Sequence, residues 1–461
     1  MTCQNAILGA RSTRRLPPRI EAVAVALRPY LPIVHLCMFV GFFVLIVGPA
    51  LLPGSEIAQQ LGDLARFLIW TLWFPLVFIS VLLTGRSWCG LLCPMGAASE
   101  WMNRIGRKRP VPGWLRWGGT PIVSFLLVTT LGQTLGVRDY ASAILEVFGL
   151  TFLAALVIGY FYGQGQKKRA WCRHACPIGL LLGVFSRLSM VDLAPKRPKA
   201  GGDAYDTRGL CPTMIDLRRK TESRHCVMCA RCVNPDKKGG LALQFRNPGA
   251  EIADIRNHHP SSFEVWFLFL GTGIALGGFL WLVLPLYQNL RQATVNWVIE
   301  HGYLWLGNPG PAWLMSVHPD AREVFTWIDF FLISGWMIGV MLALTVVLAA
   351  LQATGAWLAG RLGAHGRFGE RFVALSYQVA PPAMISLLLG LGIDLFGLVP
   401  QAAAASVKVV ALGAAVIWGG WLGWQILKNL GLPGARAAVA TLPGLIGGLA
   451  VASAWWPAIV G

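Results

Sequence analysis

The sequence predicts an all-α polytopic membrane protein with one small polar domain inserted between its membrane halves. Hydrophobic side chains make up 55% of the 461 residues and charged ones only 13%, far too apolar for an ordinary soluble domain. Nine stretches reach the roughly 20 residues that a helix needs to cross a bilayer. One long polar block, residues 164 to 262, parts the fourth stretch from the fifth. This composition excludes a disordered chain, a collagen and a secreted disulfide mini-protein.

The spans are expected at 31 to 53, 64 to 84, 117 to 136, 140 to 163, 264 to 287, 327 to 355, 372 to 396, 402 to 427 and 437 to 459. Pro381-Pro382 interrupts the seventh, and Gly-rich runs weaken the eighth and ninth. With the N-terminus in the cytoplasm, 34 of the 39 Lys and Arg fall on that side, leaving Arg66, Arg138, Arg291, Arg322 and Lys408. The positive-inside rule therefore absorbs the net charge of +18, and nucleic-acid binding is not expected. Residues 1 to 30 read as a basic cytoplasmic tail. Thr13-Arg14-Arg15-Leu16 has the form of a twin-arginine export signal, but Pro17-Pro18 and the long first apolar stretch predict a retained anchor. The domains are then the tail, a four-helix membrane unit over 31 to 190, a cytoplasmic domain over 191 to 262 and a C-terminal membrane unit over 263 to 461. The outer loop, 288 to 326, carries Trp297, Trp305 and Trp313 and fits a membrane surface. Its His301, His318 and Met315 are candidates for transient metal contact.

An internal repeat carries cysteines. At one constant offset along the chain, Arg86-Ser87-Trp88-Cys89 aligns with Arg169-Ala170-Trp171-Cys172, Cys93-Pro94-Met95-Gly96 with Cys176-Pro177-Ile178-Gly179, and Arg104-Ile105 with Arg187-Leu188. Each copy follows a span ending on the cytoplasmic face, so a two-helix unit is duplicated in parallel. Proline disfavours helix at the Cys before it and suits a helix start, which places each second thiol at a turn. The following segments, 94 to 105 and 177 to 188, read as short amphipathic helices. Trp101, Met102 and Ile105, or Leu181, Val184, Phe185 and Leu188, are expected to face lipid, with Trp88 and Trp171 as interfacial anchors. Buried packing and a redox dithiol are rival readings of the thiols, but identical spacing with Pro and flanking Arg favours a metal or cluster site.

In the polar domain, Cys226-Val227-Met228-Cys229-Ala230-Arg231-Cys232 is a C-x2-C-x2-C run, the three-thiolate pattern of a [4Fe-4S] site. No fourth Cys adjoins it. Cys211-Pro212, upstream of Cys226 in the same polar block, is assigned the fourth place. Zinc is a weaker reading, because its thiol ligands usually come as two spaced pairs. Of the ten Cys, Cys3 lies in the tail and Cys37 inside a span, which leaves Cys89, Cys93, Cys172 and Cys176 for a second four-thiolate site. Arg86, Arg104, Arg169 and Arg187 stand in matching places to offset its charge, and Arg224 and Arg231 flank the first. The second site suits [4Fe-4S] or [2Fe-2S], and a swapped ligand set using Cys176 also remains open.

These motifs, G-R-S-W-C-G-L-L-C-P and K-R-A-W-C-R-H-A-C-P followed by the Cys run, resemble the membrane polyferredoxins of the NapH, NosR and CcoG kind over about residues 30 to 260. The long Trp-rich form, with K-R-P-K-x-G-G-D before C-P-T-M-I-D, is most similar to the ferredoxin-like component of FtrABCD-type ferrous-iron uptake systems. The resemblance implies a bacterial inner-membrane electron-transfer protein with a ferredoxin-like cytoplasmic domain, a quinone or protein redox partner, and a permease complex nearby. The chain departs from the family in having one incomplete ferredoxin run and five further C-terminal spans. A copper-reductase or oxidase-assembly factor of the CcoG kind is the alternative. A metal-transporter subunit is another, pointed to by Pro381-Pro382 and by Glu146, Asp329, Asp394 and Lys408 within or at the ends of spans.

Overall fold

The computed structural model describes residues 13–196, 210–233 and 240–460; Cys3 and the segment from Arg197 to Asp203 lie outside them. Among the described residues, eight helices are long and apolar enough to cross a membrane: Pro18–Leu51, Glu56–Thr84, Ala141–Phe161, Ser262–Leu280, Trp327–Arg361, Phe368–Leu391, Gln401–Asn429 and Gly434–Ser453. The stretch expected at 117 to 136 forms the helix Thr120–Thr134. Its 15 residues rise only about 22 Å, less than the roughly 30 Å hydrocarbon core.

Two spans are interrupted where proline removes backbone donors. Pro75 cannot bond back to Thr71, and the turns before it, Phe67–Trp73, widen into a π-helix. Pro381 and Pro382 cannot bond back to the carbonyls of Tyr377 and Gln378, and Tyr377–Val379 tightens to a 3-10 turn in which the Ala380 amide donates to the Tyr377 carbonyl instead. The side chain of Gln378 crosses the bundle core to Gln352, 2.6 Å away.

Three of the four ionisable groups near spans have local partners. Asp394 accepts from Arg138 at 2.8 Å. Asp329 accepts from Arg291 at 2.9 Å and also caps the helix Trp327–Arg361 with Thr326. Lys408 lies 5.3 Å from the Phe396 ring centre, while Glu146 is exposed. Within residues 288 to 326, His318 stacks on Tyr140 and His301 on Trp297, whereas Met315 is fully buried.

The polar domain is built on a three-stranded antiparallel sheet of order β1-β3-β2, with β1 Thr13–Arg15, β2 Val191–Pro195 and β3 Leu241–Arg246. Residues 13 to 28 are thus more than a tail. Arg14 pairs with Phe245 in register, Glu21 accepts from the Leu243 amide at 3.0 Å, and Leu16, Ala24 and Val25 pack against the buried cluster that contains Leu193, Cys226 and Cys232. Arg28 donates to the carbonyls of Ala230 and Val233. This N-terminal segment walls the cysteine run.

A buried ionic network docks this domain on the C-terminal membrane half. Arg187, wholly inaccessible, donates to Glu251 at 2.6 Å and to Glu264 at 2.8 Å, and lies 5.5 Å from the ring centre of Tyr377. Glu251 also takes Arg246 at 2.6 Å and the Ser223 hydroxyl at 2.6 Å. Losing one partner of such a network costs about 3–5 kcal/mol, since a buried charge is left uncompensated.

Candidate iron–sulfur centres

Both copies of the cysteine motif fold alike. Cys89 and Cys172 lie on one-turn helices, Ser87–Leu91 and Ala170–His174, and Cys93 and Cys176 are the caps of Pro94–Ile105 and Pro177–Phe185. Proline at the first helical position forces that break. The two copies then interlock. Arg86 of the first donates to the carbonyl of Cys172 at 3.4 Å, and Arg169 of the second donates to the carbonyl of Cys89 at 2.8 Å. The glycine of each C-P-x-G has its reason here. A Cβ on Gly96 would stand 3.2 Å from Arg169 Nη1 and 3.3 Å from Cys172 Sγ, and one on Gly179 would stand 2.9 Å from the Cys172 carbonyl and 3.5 Å from Arg86 Nη2.

Cys89, Cys93, Cys172 and Cys176 line one cavity of about 220 Å³, together with Arg86, Trp88 and Trp171. Around it, buried donors at matching positions of the two copies have no hydrogen-bond partner: Arg86 Nε and Arg169 Nη2, Trp88 Nε1 and Trp171 Nε1. Four thiols, a void and convergent orphan N–H groups fit an anionic thiolate-bound cluster. Trp88 and Trp171 are therefore cavity walls, a correction to their expected place as interfacial anchors. The cavity continues between the helices past Trp73, Phe42 and Trp70 to Arg138.

The other quartet is held by a loop. Met228 and Ala230 adopt φ of 49° and 55°, left-handed conformations that cost about 1–3 kcal/mol each outside glycine. They turn the chain twice between Cys226 and Cys232. Cys211 is brought in by Lys168, whose ammonium donates to its carbonyl at 3.0 Å, and by Arg173, which donates to the Thr213 carbonyl at 2.6 Å. All four thiols are buried.

Burial pushes the thiols of Cys93 and Cys226 up to about 12 and that of Cys172 up to about 11. It raises Cys176 and Cys232 well above the ordinary thiol range, reinforced at Cys176 by Cys172, Cys93 and Cys89, and at Cys232 by Cys226, Cys229 and Cys211. Four thiolates in either place require compensating positive charge. None of the nine described cysteines is in a disulfide. Among the described residues no three His, Cys, Asp or Glu groups are gathered for a single metal ion.

The two quartets are neighbours. A Cβ on Gly90, between Cys89 and Cys93, would collide with the Val227 carbonyl and stand 3.0 Å from the Cys229 amide nitrogen. Arg169 sits at the junction: its amide donates to the Pro212 carbonyl at 2.8 Å, and, against the cost of burial, Glu100, Cys172 and Cys229 hold its guanidinium charged.

The four symmetric arginines divide. Arg86 and Arg169 face the thiols, but Arg187 is taken up by Glu251 and Glu264, and Arg104, with its side chain 42% exposed, reaches Glu100 at 3.4 Å. The repeat predicted four equivalent cations; tertiary packing makes the last pair differ. Likewise Leu181, Val184, Phe185 and Leu188 are buried against the C-terminal half rather than facing lipid, while Ile105 of the first copy is exposed. Arg224 pairs with Glu222 and Glu264, and Arg231 with Glu100. No sequence signal singled out Glu100 or Lys220. Lys220, with Asp192 at 2.8 Å, is held charged against burial by Asp192 and then Cys226.

The model of a 4Fe-4S binding domain matches residues 67–112 and 145–198, the two copies of the duplicated unit. The chain is 30% identical over 206 residues to protein NirI of Paracoccus denitrificans, covering 40% of this chain and 29% of that one. It is 25% identical over 177 residues to the ferredoxin-type protein NapH of Escherichia coli, covering 32% and 58%. It is 27% identical over 247 residues to the putative electron transport protein YccM of Escherichia coli, covering 48% and 65%. It thus spans less than two thirds of each of these relatives. No solved structure matches it. On its paired thiolate motifs, the domain that matches them and these relatives, the chain is similar to the membrane polyferredoxin-like proteins.

Proposed function

We propose that the chain is an inner-membrane electron-transfer protein with two [4Fe-4S] centres at its cytoplasmic face. Cys89, Cys93, Cys172 and Cys176 hold one, and Cys211, Cys226, Cys229 and Cys232 hold the other. It exchanges electrons with a quinone pool or a protein partner and serves a redox system on the other side, of the ferrous-iron uptake kind. The observation that carries this is the adjacency of two thiol quartets with Arg169 between them. A bound cluster supplies one-electron exchange over a wide range of potentials. The chain's residues do the rest: Arg86 and Arg169 offset thiolate charge, Trp88 and Trp171 offer N–H groups, and apolar walls exclude water. NapH is named a ferredoxin-type protein and YccM an electron transport protein, which supports the same reading. The placement of 34 of 39 basic residues supports the orientation.

The test is anaerobic reduction of the purified protein followed by EPR, with growth assays of a deletion strain on limiting ferrous iron and on limiting copper. Reducible cluster signals with an iron-specific growth defect are expected. A copper-specific defect in oxidase assembly would transfer the chain to the CcoG-type role. Absence of any reducible centre would end the electron-transfer reading.

A further inference from the structure

We propose that Glu100 is the positioning residue that joins the two thiolate sites, fixing one arginine of each and setting both reduction potentials together. The inference rests on the electron-transfer reading above. Glu100 is 2% exposed and lies on Pro94–Ile105, the helix that Cys93 caps. One carboxylate oxygen accepts from Arg169 Nε at 2.9 Å, and both oxygens accept from Arg231 Nη2 at 2.8 Å. Arg169 belongs to the duplicated motif and reaches the Cys89 carbonyl. Arg231 lies between Cys229 and Cys232. One buried carboxylate therefore binds a cation from each site.

Its charge has two consequences. First, it orients both guanidinium groups, which a neutral side chain of the same shape would still accept hydrogen bonds from but hold less strongly. Second, it cancels part of their field. A reduced cluster carries one more negative charge than an oxidised one, so unmasked cations favour the reduced form and raise the potential. In a buried setting such a change is weakly screened. Against its own burial, Glu100 is held below the usual carboxylate range by Arg169 and Arg231, so it is ionised throughout the neutral range. A purely structural role would leave potentials unmoved wherever both clusters assemble.

The experiment is an EPR-monitored redox titration of the full chain, purified anaerobically, as parent, Glu100→Gln and Arg231→Gln. Both midpoints are expected to move positive in Glu100→Gln and negative in Arg231→Gln. Opposite signs from two changes at one contact cannot come from shared loosening of the fold. Should Glu100→Gln fail to assemble, Arg231→Gln decides alone, through a negative shift at both sites. A parent holding fewer than two clusters overturns this proposal along with the reading beneath it. A parent with two clusters whose midpoints stand still, or move at one site only, overturns this proposal alone.

Discussion

The two cysteine quartets are made from the same donors by different means. The membrane-end quartet draws two thiols from each copy of a duplicated helix–turn–helix unit, and its order comes from reciprocity: Arg86 caps the second copy while Arg169 caps the first. The domain quartet draws three thiols from one heptapeptide, shaped by left-handed residues at Met228 and Ala230, and borrows the fourth from Cys211, upstream of that peptide. In the first, geometry is stored in packed helices and buried cations. In the second it is stored in backbone strain, with an N-terminal strand and Arg28 holding the loop from outside. The membrane-end site should therefore be sensitive to its arginines and the domain site to its backbone.

That contrast is open to breakage at several points. The largest effect is expected from Arg169→Ala, which strands buried Glu100 beside Arg231 and uncaps the Cys89 helix. About 3–5 kcal/mol should be lost, and the detergent-solubilised protein should melt earlier while losing its membrane-end cluster. Gly90→Ala comes next, because its Cβ meets the backbone of Val227 rather than a movable side chain. Overpacking of about 1–3 kcal/mol is expected, with altered spin coupling between the centres in the reduced EPR spectrum. Ala230→Gly should act in the other direction, raising stability by about 1 kcal/mol because glycine adopts this φ without penalty. A fall in melting temperature would contradict strain at this loop. Arg104→Ala, although its sequence position matches Arg187, should change stability by no more than about 0.5 kcal/mol, since its side chain is 42% exposed.

Acid titration separates the docking network from the sites. Against its burial, Glu251 is held below the usual carboxylate range by Arg246 and Arg187. A depressed carboxyl contributes stability that is present above its unfolded value, near 4.3, and lost as pH falls through the lower folded value. The melting temperature of the parent should change little through Glu251 between pH 7 and 5 and fall below that. In Glu251→Gln it should already be lower at pH 7 and less dependent on acid.

Much of this was legible in the sequence for identifiable reasons. Long apolar runs report spans because lipid tolerates few alternatives, but their ends moved: Glu56–Thr84 begins before 64, Ser262–Leu280 ends before 287, and 117 to 136 gives only the short Thr120–Thr134 helix. The internal repeat paired the four membrane-end thiols, and setting aside Cys3, Cys37 and the domain quartet left those four, with a swapped set using Cys176 as the alternative. Side-chain destinations were less legible. Arg104 and Arg187 occupy matching places in the repeat, yet the first is 42% exposed and the second is enclosed by a carboxylate pair, because Pro177–Phe185 packs against the C-terminal half while Pro94–Ile105 packs on Ala141–Phe161. Trp88 and Trp171 looked like interface anchors because composition cannot distinguish a lipid boundary from the wall of an interior cavity. Glu100 carried no motif at all, and its role emerges only where Arg169 and Arg231, far apart in sequence, converge. The N-terminal strand was hidden for the same reason, since its partner, β3, lies in the other half of the chain.

The most direct test of two separate centres is iron and acid-labile sulfide quantification with EPR on anaerobically purified parent, Cys89→Ala and Cys226→Ala proteins. Two four-iron centres predict about eight irons per chain in the parent and about four in each variant, with a different EPR signal surviving in each. About four irons in the parent, unchanged by Cys89→Ala, would contradict the account and return Cys89, Cys93, Cys172 and Cys176 to thiols without a cluster.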